Sequence, residues 1–258
     1  MTAPDGVNGL PTGVTVLSLM LANNETGVMQ PVAALAARAR ARGVRVHCDA
    51  VQAVGKVPVD VDALGVDYLV FSAHKFGGPK GVGALVVRRG APLEPLFRGS
   101  SHERGLRGGT ENVPGIIGMG AAAELAARDL GSESTRLLAL RREFEARLRA
   151  AVPELVVHGA NAPRLPNTVN VSFPGARADH MLLALDARGL AASAGAACAS
   201  GGVEPSPVLA AMAVPRELAV CALRFSLGRT TTQAQVVEAA ALVIDAVRAV
   251  RASAGARA

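Results

Sequence analysis

The chain has 258 residues, half of them apolar, a net charge of +6 and three cysteines, a length that suits one large domain or a large domain plus a small one. With one tyrosine, six phenylalanines and no tryptophan, the core must be built from Ala, Val and Leu, and the arginine-rich helical stretches lack the interleaved aromatics of a nucleic-acid binder. No charge-free apolar run reaches membrane length, the N-terminus lacks a signal-peptide pattern, and three widely spaced cysteines make neither a disulfide framework nor a zinc-ligand rhythm, so the expected setting is a reducing cytoplasm with no metal, no membrane and no nucleic acid.

Val14–Met20 reads as a strand and is followed by the polar loop Leu21–Gly27, with Asn23, Asn24 and Glu25 in it. Pro31–Arg42 reads as a helix, with proline in its first turn and Gly43 at its end. Val44–Asp49 is the next strand, so strand, helix and strand form a unit expected to cross over right-handed into a parallel sheet. Ligands in such sheets sit beyond the carboxyl ends of the strands. Asp49 and Gln52 lie at that edge: Asp49 suits a partner for a protonated ring nitrogen, and equally a helix N-cap.

After an irregular link, Val57–Leu64, comes the stretch VDYLVFSAHKFGGPKGVG, Val66–Gly83. The apolar run Tyr68–Phe71 reads as a strand ending at Ser72, with His74, Lys75 and a glycine-rich turn beyond it. A lysine at a strand end beside a serine and a histidine suits one chemistry well. Its amine can condense with the aldehyde of pyridoxal 5'-phosphate, while Ser72 and His74 donate to the phosphate. The same residues also read as an ordinary surface turn. Val82–Arg88 is a further strand, antiparallel to its predecessor. Ala91–Arg107 is loop-like, and Arg107 and Thr110, among glycines, could bind an anion.

Two helices are expected next, one from Val113 to about Asp129 and one over Thr135–Ala151, with a domain boundary near Ser132. The division predicted is a partial large domain, 1–131, and a small α+β domain, 132–258. The latter reads as strands Leu155–His158 and Thr168–Ser172, a helix Ala178–Arg188 capped by Gly189, a short helix Pro207–Ala213, a strand Leu223–Arg229 and a last helix Thr232–Arg251. Within it, Ala191–Gly202 (AASAGAACASGG) carries Cys198 with no apolar anchor, as a thiol on a loop would be. Cys221, beside Leu218 and Leu223, reads as a buried structural cysteine. Arg224 stands inside an apolar strand and wants a carboxylate partner, for which a substrate carboxylate would serve.

Taken together, NNETGVMQP, HCDAVQAVGKVPVD, FSAHKFGGPKGVGAL, HERGLRGGTENV, SAGAACASG with EPSPVL, and LRFSLGRTTT resemble the cysteine desulfurases of the NifS/IscS-like group. These are pyridoxal-phosphate enzymes of the class V aminotransferase family. The resemblance implies an α/β fold of the aspartate-aminotransferase-like, type I kind, with a mixed, mostly parallel sheet. It implies that Lys75 is the Schiff-base lysine, Asp49 the partner of the pyridine nitrogen, and Gln52 the neighbour of the ring hydroxyl. Asn24 falls between ring hydroxyl and substrate carboxylate, Ser72 and His74 on the phosphate, and Thr110 on the phosphate of a second subunit, hence a homodimer. Arg224 matches the arginine for the carboxylate of the substrate, L-cysteine, and Cys198 the thiol that takes its sulfur and passes it to an acceptor protein. The family's glycine-threonine phosphate loop and ring-stacking histidine precede the NNE loop and find no match here, so the chain reads as the family pattern without its N-terminal third. A non-catalytic dimerisation module and a selenocysteine lyase or aminotransferase are the rival readings.

Overall fold

Alternating apolar and β-branched residues build two separate sheets in the computed structural model, which describes residues 10–194 and 205–255. The chain divides into two compact units. One comprises the chain up to Ala22 together with Gln30–Gly131. The other comprises Asn23–Met29 with the chain from Ser132 onward.

The first unit holds strand β1 (Val16–Met20), helix α1 (Val32–Ala41), strand β2 (Arg45–Asp49), the short helix α2 (Val61–Leu64), and strands β3 (Tyr68–Ser72) and β4 (Gly83–Val87). The sheet order is β1-β2-β3-β4, with the first two pairings parallel and the last antiparallel. Val46 and Cys48 of β2 are fully buried with Val32, Ala36 and Ala39 of α1, so alternate residues of the strand set the helix-covered face. Asp67 fixes the entry to β3: its carboxylate is buried and accepts from the Val46 amide at 2.8 Å and from Arg45 at 3.0 Å. The link expected to be irregular contains α2, because Asp60 caps it by accepting from the amides of Asp62 and Ala63. β3 and β4 close on each other tightly at Ser72 and Gly83. A Cβ on Gly83 would stand 2.6 Å from the Phe71 carbonyl oxygen, which leaves room for glycine alone.

The two helices expected around Ser132 are one, α3 (Val113–Ala151), 39 residues long. Gly131 and Ser132 weaken a helix through backbone entropy and side-chain competition, but neither removes a main-chain donor as proline does. Asn112 starts the helix by accepting from the Gly115 amide. Glu133–Arg136 and Glu143–Arg147 pairs brace its exposed side. The division between the two units falls within this helix.

The second unit packs an antiparallel sheet, β5 (Val156–Val157), β6 (Thr168–Ser172) and β7 (Ala222–Ser226), against helices. These are the later part of α3, α4 (Ala178–Asp186) and α7 (Gln233–Gly255), with the short helices α5 (Pro207–Ala211) and α6 (Arg216–Ala219) completing the unit. Phe144, Val171, Phe173, Met181, Leu223 and Val243 are at its centre. Phe144 and Phe225 meet edge to face with ring centroids 5.1 Å apart. Every residue of β6 is buried, as expected of a strand covered on both faces. No helix among the described residues is long and apolar enough to cross a membrane.

Candidate active site

In the first unit the parallel strands β2 and β3 end side by side. Asp49 pairs with Val70, and the next amide, Ala50, donates to the Val70 carbonyl at 2.9 Å. The residues just beyond both strand ends therefore share one edge of the sheet. It lies next to the point where the pairing turns from parallel to antiparallel.

Asp49 is half-buried there, and its Oδ1 accepts from the Val51 amide at 2.9 Å. This bond starts the turn that carries Gln52, and no helix begins there, so Asp49 opens a turn rather than capping a helix; the second carboxylate oxygen has no protein partner among the described residues. At the end of β3, Ser72 Oγ and His74 Nδ1 are 2.8 Å apart. Ala73–Lys75 form a single 3₁₀ turn that leaves His74 and Lys75 exposed. Gly78 closes this turn by donating to the Ala73 carbonyl at 2.9 Å. A Cβ on Gly78 would meet the Ala73 methyl at 2.9 Å. The strand end and the single turn after it thus present a hydroxyl, an imidazole and a primary amine, beside a carboxylate on the neighbouring strand.

Thr110, also of the first unit, lies exposed in the loop before α3, and its carbonyl accepts from Arg107 at 2.8 Å. His102 and Glu111 pair at 2.6 Å and close that loop.

The second unit brings Asn24 and Arg224 together. Arg224, in β7, donates from Nη1 to the Asn24 carbonyl at 3.0 Å and from Nη2 to Ser193 Oγ at 3.1 Å. Its backbone also pairs with Ser193 in both directions. Its Nε is buried and has no partner. The expected carboxylate is absent from its protein contacts, so the guanidinium keeps unspent donor capacity. The segment that presents Asn24 is shaped by Asn23, whose side chain accepts from the amides of Glu25 and Thr26, and by Gly27 at φ 72°.

Sequence reasoning missed three residues that organise these clusters. Glu25 is buried and accepts from Ser206 Oγ at 2.5 Å, Ser193 braces Arg224, and Lys56 bridges two turns of the first unit. The only local signal was Ser206-Pro207, a capping serine before a helix-opening proline.

Of the cysteines, Cys48 is buried, and desolvation followed by the Asp49 carboxylate pushes its thiol up to about 11. Burial also raises Cys221. Both are held as protonated thiols and are poor nucleophiles. Cys198 lies outside the described residues.

The donor set fits pyridoxal phosphate: an unbonded primary amine, hydroxyl and imidazole donors beside it, and a carboxylate oxygen without a protein partner at one sheet edge.

A family model described as aminotransferase class-V matches residues 7–238. The chain is 51% identical over 221 residues to a cysteine desulfurase of Gluconacetobacter diazotrophicus, covering 86% of this chain and 55% of that protein. It is 48% identical over 239 residues to a cysteine desulfurase of Klebsiella pneumoniae, covering 92% and 60%. A solved NifS-like protein superposes with a TM-score of 0.83 at 35% identity, covering 94% of this chain and 63% of that one. The chain therefore spans roughly three-fifths of the length of the relatives it matches. A family match running through nearly all of the sequence, on a sheet that places its lysine at a parallel strand end, establishes that the chain belongs to the class V aminotransferase family.

Proposed function

We propose that this chain carries the chemistry of a cysteine desulfurase, converting L-cysteine to L-alanine and leaving the sulfur on Cys198. The observation that carries the reading is the arrangement of Asp49, Ser72, His74 and Lys75 at the adjoining ends of β2 and β3. The relatives it matches in Klebsiella pneumoniae and Gluconacetobacter diazotrophicus are cysteine desulfurases, which supports the same reading.

Pyridoxal phosphate, when bound, supplies an electron sink for the charge left by a departing α-proton. The residues that would hold it are Lys75, through its amine, Ser72 and His74 at the phosphate, Asp49 at the ring nitrogen, and Gln52 and Asn24 at the ring hydroxyl. Thr110 is assigned to the phosphate of a second subunit. A homodimer is supported by exposed Leu96, Phe97, Val113 and Ile117 in the first unit, apolar side chains that a partner would cover.

Lys75 Nζ, once free, takes the α-proton of the substrate, and Arg224 holds the substrate carboxylate with the donors its protein partners leave unused. Cys198, as thiolate, attacks the substrate sulfur. The new S–S bond forms as the carbon–sulfur bond breaks, its electron pair stays with Cβ and takes a proton there, and Lys75 returns the α-proton to Cα to complete alanine. The persulfide is then passed to an acceptor protein. Cys48 and Cys221 are unsuited to the carrier role because burial keeps them protonated. A reducing, cytoplasmic setting suits a carrier that must start as a thiol.

The test is absorbance of the purified chain with pyridoxal phosphate, followed by alanine and sulfide release from L-cysteine. A visible band that Lys75→Ala abolishes, with sulfide release that Cys198→Ala abolishes, is expected. Binding without loss in Lys75→Ala overturns the lysine's role, and sulfide release that survives Cys198→Ala overturns the carrier's.

A further inference from the structure

One ammonium in the first unit has no part in the chemistry above, yet it lies beside Lys75. Lys56 follows the turn after β2, and its Nζ donates to the Gln52 carbonyl at 2.9 Å and to the Lys75 carbonyl at 3.3 Å. No carboxylate pairs with it among the described residues. Withdrawal from water, and then the charge of Lys75, lower its pKa to about 8. A lysine on a four-carbon stem could reach water, where an ammonium is strongly hydrated. Holding it against two carbonyls costs desolvation that only defined contacts offset.

The backbone shows the same convergence independently. Gly55, at φ 75°, precedes Lys56, and a Cβ there would stand 2.7 Å from the Cβ of Phe76, the residue after Lys75. The turn after β2 and the turn after β3 therefore approach as closely as glycine allows, and Lys56 crosses that approach.

We propose that Lys56 is a positioning residue for the cofactor-binding lysine. Its ammonium clamps the turn bearing Gln52 to the turn bearing Lys75, so that the two arrive at the sheet edge as one rigid piece. This rests on the assignment of Lys75 given above. The contact is to the main chain of Lys75 and leaves the Lys75 amine free. It restricts the volume that amine sweeps, and that restriction is what orientation contributes to a covalent encounter.

Hydrogen exchange on the purified chain without added cofactor tests the clamp directly. The amides of Phe76 and Gly78 both donate to the Ala73 carbonyl and so report on the Lys75 turn. Lys56→Met keeps the stem and removes the donors; it is expected to speed exchange at these two amides about tenfold, the scale of one lost charged hydrogen bond. The Val46 amide, held by the Asp67 carboxylate, and the Leu69 amide are expected to keep their rates, and Lys56→Arg, which retains charged donors, to restore protection. In parallel, borohydride trapping of added pyridoxal phosphate with peptide mapping should show slower labelling of Lys75 in Lys56→Met and recovery in Lys56→Arg. Unchanged exchange at Phe76 and Gly78, or an equal rise at Val46 and Leu69, overturns the proposal. If the unaltered chain takes no label at Lys75 while Lys56→Met still loosens the turn, the failure belongs to the cofactor reading and the clamp stands.

Discussion

Ser206 donates its hydroxyl hydrogen to the buried carboxylate of Glu25 across 181 positions of sequence, at 2.5 Å. Glu25 directly follows Asn24, whose carbonyl receives Arg224, and the Glu25 carbonyl receives the Asn170 side chain at 3.3 Å. Ser206 also caps α5, accepting from the amides of Val208 and Leu209. The bond thus joins the start of a helix to the loop that presents Asn24.

Ser206→Ala removes the cap and strands a buried carboxylate, two losses that together are expected to cost about 2–4 kcal/mol. Glu25→Gln keeps an acceptor for the Ser206 hydroxyl and should cost less than half as much. Urea denaturation of the two variants checks the order. A Glu25→Gln loss as large as that of Ser206→Ala would mean that the charge, rather than the hydrogen bond, holds the loop.

Such long-range bonds explain why some of the molecule was legible in the sequence and some was not. β2 and β3 were readable because Val44–Asp49 alternates apolar and polar residues and Tyr68–Phe71 is a short apolar run ending at a serine, and they fold as a parallel pair. Cys221 was readable as structural from its apolar neighbours and is buried. The gap expected between two helices, from about Asp129 to Thr135, is absent, since a Gly-Ser step is a weak signal beside the continuous hydrogen bonding of α3, while the two units still divide between Gly131 and Ser132. Glu25, Ser193, Ser206 and Lys56 leave no periodic trace at all. Each acts through one polar contact whose partner is fixed by tertiary structure. Arg224 stands out in the sequence as an arginine within an apolar strand, and its protein partners are a carbonyl and a hydroxyl, neither of which the sequence signals.

His158 gives the second unit a pH dependence of defined sign. It is buried, and its Nε2 lies 2.7 Å from Ser172 Oγ. The Ser172 hydroxyl in turn donates to the Leu218 carbonyl at 2.7 Å. With that hydrogen spent, Nε2 must be the donor, so when the ring is neutral its proton sits on Nε2. Desolvation lowers the folded pKa. The unfolded ring takes up its proton near the usual value of about 6.5, while the folded ring does not. Stability from this residue is therefore full above that value and is lost as pH falls below it toward the folded pKa. The slope cannot exceed one proton, about 1.4 kcal/mol per pH unit. Urea denaturation at several pH values should show His158→Gln losing less stability than the unaltered chain on acidification below pH ~6.5. Parallel curves for the two would assign the acid sensitivity to other groups.

Arg224 separates substrate binding from structural bracing. Its guanidinium reaches Asn24 and Ser193 with its two terminal nitrogens, while Nε is buried without a partner. Arg224→Lys preserves the charge but loses the planar fork, which is the feature that matches a carboxylate on two prongs. If Arg224 receives the carboxylate of L-cysteine, the variant should raise KM about 10- to 100-fold and change kcat less, the signature of lost ground-state binding. Ser193→Ala removes one brace and leaves the guanidinium in place, so it should lower thermal stability with little change in KM. Steady-state kinetics and melting curves on both variants read the two roles separately. An unchanged KM in Arg224→Lys, together with an earlier melt, would make Arg224 a brace of β7 alone.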